Sequence, residues 1–136
     1  METAIKTFDV QYIEIEAPFE KVFAFIANPE NLPLWTSAFK EANNRTALLV
    51  TPIGELRIGL QTITDVSGII DWHMQMPDGS TGKAYSRVTS LPNGNAVYSF
   101  VLLAPPVPVE EVEGTLEQQK ILLAAELKKL AHLLKQ

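Results

Sequence analysis

The stretch GTLEQQKILLAAELKKLAHLLKQ, residues 114–136, decides the fold because it has the pattern of one long amphipathic helix. Its leucines recur at the i, i+3, i+4, i+7 spacing of a buried helical stripe. They are Leu116, Leu123, Leu127, Leu130 and Leu134. Thr115 and Gln118 fit a capping box after Gly114, so the helix is predicted to begin there. Because one helix cannot bury its own leucine face, the sequence predicts a sheet that holds it.

The composition excludes several classes of protein. The chain has 136 residues, a formal net charge of −5 and no cysteine. Its basic residues are scattered, which argues against a nucleic-acid partner. Without cysteine, disulfides and thiolate zinc sites are excluded. The N-terminal sequence lacks a signal-peptide pattern, and no apolar run is long enough for a membrane span. We therefore expect a single domain over residues 1–136, located in the cytoplasm.

Strand patterns fill most of the chain before the final helix. A first strand over residues 8–16 changes phase near Tyr12, which is typical of a bulge. A helix then follows Pro18 and ends at Asn28-Pro29, and residues 30–39 are predicted as a short second helix or irregular turn. The remaining predicted strands cover residues 46–51, 55–63, 69–76, 82–91 and 96–104.

Short turns connect these strands, including the hairpin signal Pro92-Asn93-Gly94-Asn95. Such connections require antiparallel neighbours. A Pro-rich connection over residues 105–108 leads to the final helix. The sequence therefore predicts an α+β fold. A curved antiparallel sheet of about six strands surrounds a long C-terminal helix, with two short helices after the first strand.

Residues 13–35, IEIEAPFEKVFAFIANPENLPLW, resemble the opening of START-like, Bet v 1-like (SRPBCC) proteins. The likeness is to the polyketide cyclase/dehydrase-like group. It lies in a strand that ends in Ala-Pro, a helix that carries Val-Phe, and Asn-Pro-Glu followed by Trp35. The resemblance implies a helix-grip fold. It implies no fixed catalytic set, because those families include carriers, receptors, cyclases and co-chaperones.

Asp71 and His73 are the candidates for catalysis, since two residues apart on a strand they share one face. Trp72, Met74 and Met76 share the other face, and the gain from burying them favours an outward Asp71 and His73. In the opposite phase the pair lines the cavity. His73 is then a general acid–base that Asp71 orients, suited to cyclisation or dehydration. A metal site at this pair lacks a third ligand, so no metal and no cofactor are predicted.

The leading functional hypothesis is the binding of a small hydrophobic or amphipathic molecule between the final helix and the sheet. The predicted lining consists of Trp35, Leu56, Ile58, Leu60, Trp72, Met74, Tyr85, Tyr98, Phe100, Leu123, Leu127 and Leu130. One alternative is a cyclase or dehydratase that uses His73 and Asp71. Another is a protein-interaction module with a filled cavity, of which a homodimer through Leu122 and Leu133 is one form.

Overall fold

The computed structural model describes residues 7–51, 54–104 and 109–136, with side chains from residue 115 onward in the last segment. The strands are β1 (Phe8–Ile15), β2 (Phe39–Ala42), β3 (Thr46–Thr51), β4 (Gly54–Asp65), β5 (Ile69–Gln75), β6 (Thr81–Ser90) and β7 (Ala96–Leu103). The helices are α1 (Phe19–Ala27), α2 (Leu32–Trp35) and α3 (Val109–Leu134), with a 3₁₀ turn over Pro29–Asn31. The strands form one antiparallel sheet in the order β1-β7-β6-β5-β4-β3-β2. The predicted α+β helix-grip class is therefore confirmed, with a seventh strand.

The leucine stripe of α3 is buried as predicted. Leu116, Leu123, Leu127, Leu130 and Leu134 are each at most 5% exposed. All but Leu116 belong to the core cluster, which also contains inner-face residues of the sheet such as Ile58, Ile70 and Tyr98. The apolar area removed from water along this stripe is the main force that holds the helix in the sheet.

The predicted start of this helix is wrong. The helix begins at Val109, so Gly114 is an interior residue and no capping box marks the start. The Pro-rich connection predicted over residues 105–108 lies outside the described residues.

The sequence pattern does not predict the strand β2: only its first residue, Phe39, falls in the predicted second helix or turn, and residues 40–42 have no predicted element. This strand pairs with β3 at the edge of the sheet, and its register shifts between Phe39 and Glu41. A four-residue strand with two adjacent charges, Lys40 and Glu41, shows no alternation that a sequence pattern can detect.

The strand β1 keeps one phase throughout, so the predicted bulge near Tyr12 is also wrong. Its pairing with β7 is continuous from Phe8 to Ile15. Tyr12 is 75% exposed on the outer face, whereas Asp9 is buried beneath α3. Gln11 Nε2 donates to Asp9 Oδ2 and to the carbonyl oxygen of Lys120, both at 3.0 Å. Polar side chains are tolerated here because they form hydrogen bonds to each other and to the helix backbone.

The turn between β4 and β5 sets the phase of the strand that faces the cavity. Asp65 Oδ1 accepts from the Ser67 amide at 2.8 Å, which lowers the pKa of Asp65. Gly68 has a φ of +118°, and a Cβ there would lie 2.1 Å from the carbonyl oxygen of Val88. Only glycine therefore allows this turn to lie against β6.

Candidate functional site

A cavity of about 530 Å³ lies between α3 and the inner face of the sheet, at the end where α2 and β2 approach the helix. Its buried end is apolar and is formed by Leu32, Trp35, Trp72, Phe100 and Leu123. Its open end is lined by the more exposed residues Thr36, Ser37, Thr81, Lys83, Gln119, Leu122 and Glu126. The volume falls in the range of pockets that hold drug-sized molecules.

Two small residues of β6 leave room for this cavity. Gly82 and Ala84 face inward opposite Met74 and Trp72 in the strand pairing. A Cβ built on Gly82 would meet Met74 Cε at 3.4 Å and Met76 Cε at 3.7 Å. Glycine inside a strand weakens the strand and commonly marks a place where another group approaches closely. Here Met74 and Met76 approach the strand, and Gly82 adds no bulk of its own to the cavity wall.

One carboxylate connects the two sides of the cavity mouth. Glu126 Oε2 on α3 accepts from the Ser37 amide at 2.6 Å and from Ser37 Oγ at 2.7 Å. Ser37 lies in the segment between α2 and β2, and both residues line the cavity. Hydrogen bonds to an ionised acceptor are stronger than neutral ones. We call this pair the Glu126–Ser37 clasp, and it fixes the loop against the helix.

Several buried polar atoms lie around the aromatic side chains of the core. They are Trp35 Nε1, Trp72 Nε1, Tyr98 OH and Thr62 Oγ1, and none has a hydrogen-bond partner among the described residues. The Trp35 and Tyr98 rings meet edge to face at 6.2 Å, and the Trp72 and Phe100 rings lie 6.3 Å apart. Buried polar groups without a partner are uncommon, and two of these four, the indole nitrogens of Trp35 and Trp72, belong to residues that line the cavity.

Burial raises the pKa of the Tyr98 hydroxyl, because the phenolate would lose its hydration. The nearby Ser86 hydroxyl acts in the opposite direction and lowers the pKa, although its contact with Tyr98 OH does not have the geometry of a hydrogen bond. The Ser86 hydroxyl itself donates to the carbonyl oxygen of Ile70 in a very short hydrogen bond. Tyr98 is therefore a neutral core residue at neutral pH.

The structure brings five of the predicted lining residues to the cavity: Trp35, Trp72, Met74, Phe100 and Leu123. Six others lie in or against the core away from the cavity wall: Leu56, Ile58, Leu60, Tyr98, Leu127 and Leu130. Tyr85 pairs with Asp71 and Val101 and is on the outer face. Which of these residues contact a ligand stays a prediction.

The phase of β5 places Trp72 inward at 4% exposure, so Asp71 and His73 face outward. This is the arrangement that side-chain size favoured. Asp71 Oδ1 accepts from the Ser86 amide at 3.2 Å, and His73 is paired with Lys83 in the strand register. Asp71 and His73 do not line the cavity. The hypothesis of a catalytic pair required both side chains to face it.

Sequence reasoning missed several other residues that line the cavity. They include Leu32, Phe39, Leu49, Met76, Gly82, Ala84 and Leu102. The small residues of β6 were a usable signal, because Gly82 and Ala84 alternate on the face that also carries Ser86 and Val88. The contribution of Phe39 depends on β2, which the sequence does not reveal.

Two further properties bear on the kind of site. Among the side chains that the structure describes, in residues 7–51, 54–104 and 115–136, no three His, Cys, Asp or Glu are grouped so that they could hold a metal ion. Over the same residues, no helix has the length and apolar character that crossing a membrane requires.

The architecture is shared by solved structures of low sequence identity. XoxI from Bacillus cereus is 15% identical with a TM-score of 0.68, and the match covers 95% of this chain and 96% of that chain. A START superfamily protein from Mycobacterium smegmatis is 14% identical with a TM-score of 0.68, covering 96% of this chain and 98% of that one. DynU16, from the dynemicin biosynthetic locus, is 13% identical with a TM-score of 0.65, covering 93% of this chain and 46% of that one.

The chain therefore has a START-like helix-grip fold, as its opening residues suggested. No protein-family model matches the sequence, and no curated protein matches it. At these identities the likeness shows the fold, and the activity has to be argued from the site.

Proposed function

We propose that the protein binds one small amphipathic molecule in the cavity between α3 and the sheet. The observation that carries the proposal is the cavity of about 530 Å³ with an apolar buried end and a polar mouth. An apolar body gains free energy by leaving water, and groups at the mouth such as Gln119 and Glu126 fix its polar end. The interaction-module alternative required a filled cavity, and the cyclase alternative required Asp71 and His73 inside. The exposed Leu122 and Leu133 are compatible with a homodimer, but they do not replace the cavity as a binding site.

The chain provides its own reporter for this binding. It contains two tryptophans, Trp35 and Trp72, and both line the cavity. Binding of the neutral probe N-phenyl-1-naphthylamine is expected to quench tryptophan emission and to raise probe emission by energy transfer, at one probe per chain. Native mass spectrometry of the purified protein, before any probe is added, tests in addition for a molecule that co-purifies.

Two glycines give a matched pair of variants. Gly82 lies on the inner face at the cavity and Gly59 on the outer face, and each has its nearest neighbouring atom at 3.4 Å from a built Cβ. Neither has a positive φ, so a side chain adds no backbone strain. Gly82→Phe is expected to lower probe affinity at least tenfold, because the ring occupies the cavity. Gly59→Phe is expected to leave it unchanged. Equal affinity in both variants would refute the proposed site.

The cytoplasmic location and the homodimer expected from the sequence stay predictions.

A further inference from the structure

The indole nitrogens in the cavity wall restrict the chemistry of the molecule bound there. Trp35 and Trp72 are 2% and 4% exposed, and both line the cavity. Neither Nε1 has an acceptor among the described residues. An indole N–H is a donor only, so another donor cannot satisfy it. A buried donor without a partner loses the free energy of the hydrogen bond that it would make in water.

The other unpaired polar atoms are less restrictive. Thr62 Oγ1 and Tyr98 OH have no partner, but hydroxyls both donate and accept. The charged side chain that faces the cavity, Glu126, belongs to its open end, whereas Lys83 alternates with the inward Gly82 and Ala84 and its side chain lies on the outer face. The buried end therefore offers donors and no charge. A ligand oxygen that accepts hydrogen bonds gains there, whereas a buried ligand ammonium or carboxylate loses its hydration without an opposite charge.

We propose that the ligand carries a neutral hydrogen-bond acceptor, a carbonyl or ether oxygen, in its buried part, and that Trp35 or Trp72 donates to it. This inference rests on the proposed function and names the class of ligand. Both nitrogens are covered by neighbouring atoms in the structure. Binding therefore includes a turn of the indole ring or of a neighbour. Met74 and Met76 line the same wall, and methionine side chains adapt readily to such changes.

Matched ligands test this inference. Two pairs differ only by a carbonyl oxygen in place of a methylene group: 2-acetylnaphthalene with 2-isopropenylnaphthalene, and 2-dodecanone with 2-methyl-1-dodecene. Because the alkenes leave water more readily, the informative quantity is the ratio of ketone affinity to alkene affinity, compared between variants. Trp35→Phe and Trp72→Phe keep an aromatic ring and remove the N–H. The ratio is expected to fall about tenfold in one of them, the net worth of one buried hydrogen bond.

A control substitution and a second measurement keep the test decisive. Phe100→Leu alters the same wall without removing a donor, so it is expected to leave the ratio unchanged. In the wild-type protein labelled with ¹⁵N, two indole N–H resonances are expected. A ketone is expected to move one of them downfield, whereas its alkene partner is not. This measurement does not depend on the folding of any variant.

The outcomes separate this inference from the function on which it rests. The acceptor inference is refuted if three results are found together. Ketones and alkenes both bind in the cavity, the ratio of their affinities is equal in all variants, and neither indole proton moves downfield. Ordered water as the partner of the indoles gives that same result. If no member of either pair binds and the probe does not bind either, the proposed function is refuted as well.

Discussion

Two leucines of α3 distinguish an open cavity from a packed interior. Leu130 is fully buried in the core, whereas Leu123 is 5% exposed and lines the cavity. Each substitution by alanine removes three carbons, a transfer cost of about 2.4 kcal/mol at about 0.8 kcal/mol per carbon. At Leu130 a residual void of roughly 80 Å³ adds about 2 kcal/mol, at about 24 cal/mol per Å³. At Leu123 the removed atoms already face open space, so little is added.

We therefore expect Leu130→Ala to lower the free energy of unfolding by about 4 kcal/mol and Leu123→Ala by about 2.5 kcal/mol or less. Urea unfolding followed by far-UV circular dichroism measures both values. Affinity for N-phenyl-1-naphthylamine is expected to change in the opposite order, since only Leu123 contacts the cavity. Equal destabilisation by the two variants, with equal probe affinity, would mean that the space beside Leu123 is filled and would refute the reasoning.

Three further predictions follow from single residues. Glu126→Ala removes the acceptor of the Ser37 amide, so hydrogen exchange of that amide is expected to accelerate at least about tenfold, measured by NMR. Tyr98→Phe is expected to change stability at pH 7 by less than about 0.5 kcal/mol, because the hydroxyl has no partner to lose. Leu133 is 46% exposed on α3, and the predicted homodimer is expected to dissociate in Leu133→Glu, measured by sedimentation velocity.

Tyr98 also predicts the dependence of stability on alkaline pH. Burial raises its pKa above the ordinary value of 10.0, so above that pH the unfolded chain loses a proton that the folded chain keeps. The contribution of Tyr98 to the free energy of unfolding is therefore complete below pH 10 and falls above it, by up to about 1.4 kcal/mol per pH unit. Tyr98→Phe lacks this slope, which urea unfolding between pH 9 and 11 measures.

Specific results contradict each of these predictions. Glu117→Ala on the exposed side of α3 is the control for the clasp, and equal exchange of the Ser37 amide in both variants counts against it. A loss of more than 1 kcal/mol in Tyr98→Phe at pH 7 would show that the hydroxyl has a partner. An unchanged alkaline slope would show that Tyr98 ionises in the folded state. Wild-type protein that sediments as a monomer at all concentrations contradicts the dimer.

The parts of the fold that follow from local periodicity were predictable from the sequence. The leucine stripe of α3 and the inward Trp72 each depend on spacing within one element and on the free energy of burying large side chains. The strand β2 depends on pairing with β3, which is a tertiary contact, and the start of α3 at Val109 lies before the capping-box pattern at Thr115. In β1 the polar residues Asp9 and Gln11 face inward. Gln11 donates hydrogen bonds to Asp9 and to a carbonyl oxygen of α3, and the alternation of residues in the sequence does not reveal such partners.

The site was less predictable than the fold, because a cavity is a volume that no side chain fills. Side chains that fill the core and side chains that line a cavity have the same apolar character, so Leu60 and Leu123 look alike in sequence. What separates them is the register that places Gly82 and Ala84 across from Met74 and Trp72. Registers of this kind follow from turn geometry at positions such as Gly68, several residues away.

The glycine and the alanine of β6 have a consequence for how such a protein changes over generations. Gly82 and Ala84 both line the cavity, and neither can make a side-chain hydrogen bond or an ion pair. Exchange of either for a larger residue reduces the capacity of the cavity, whereas the Glu126–Ser37 clasp and the leucine stripe of α3 are unchanged. The volume of the cavity and the stability of the fold are thus set by different residues. A single substitution in β6 is enough to change the preferred ligand from a large molecule to a smaller one.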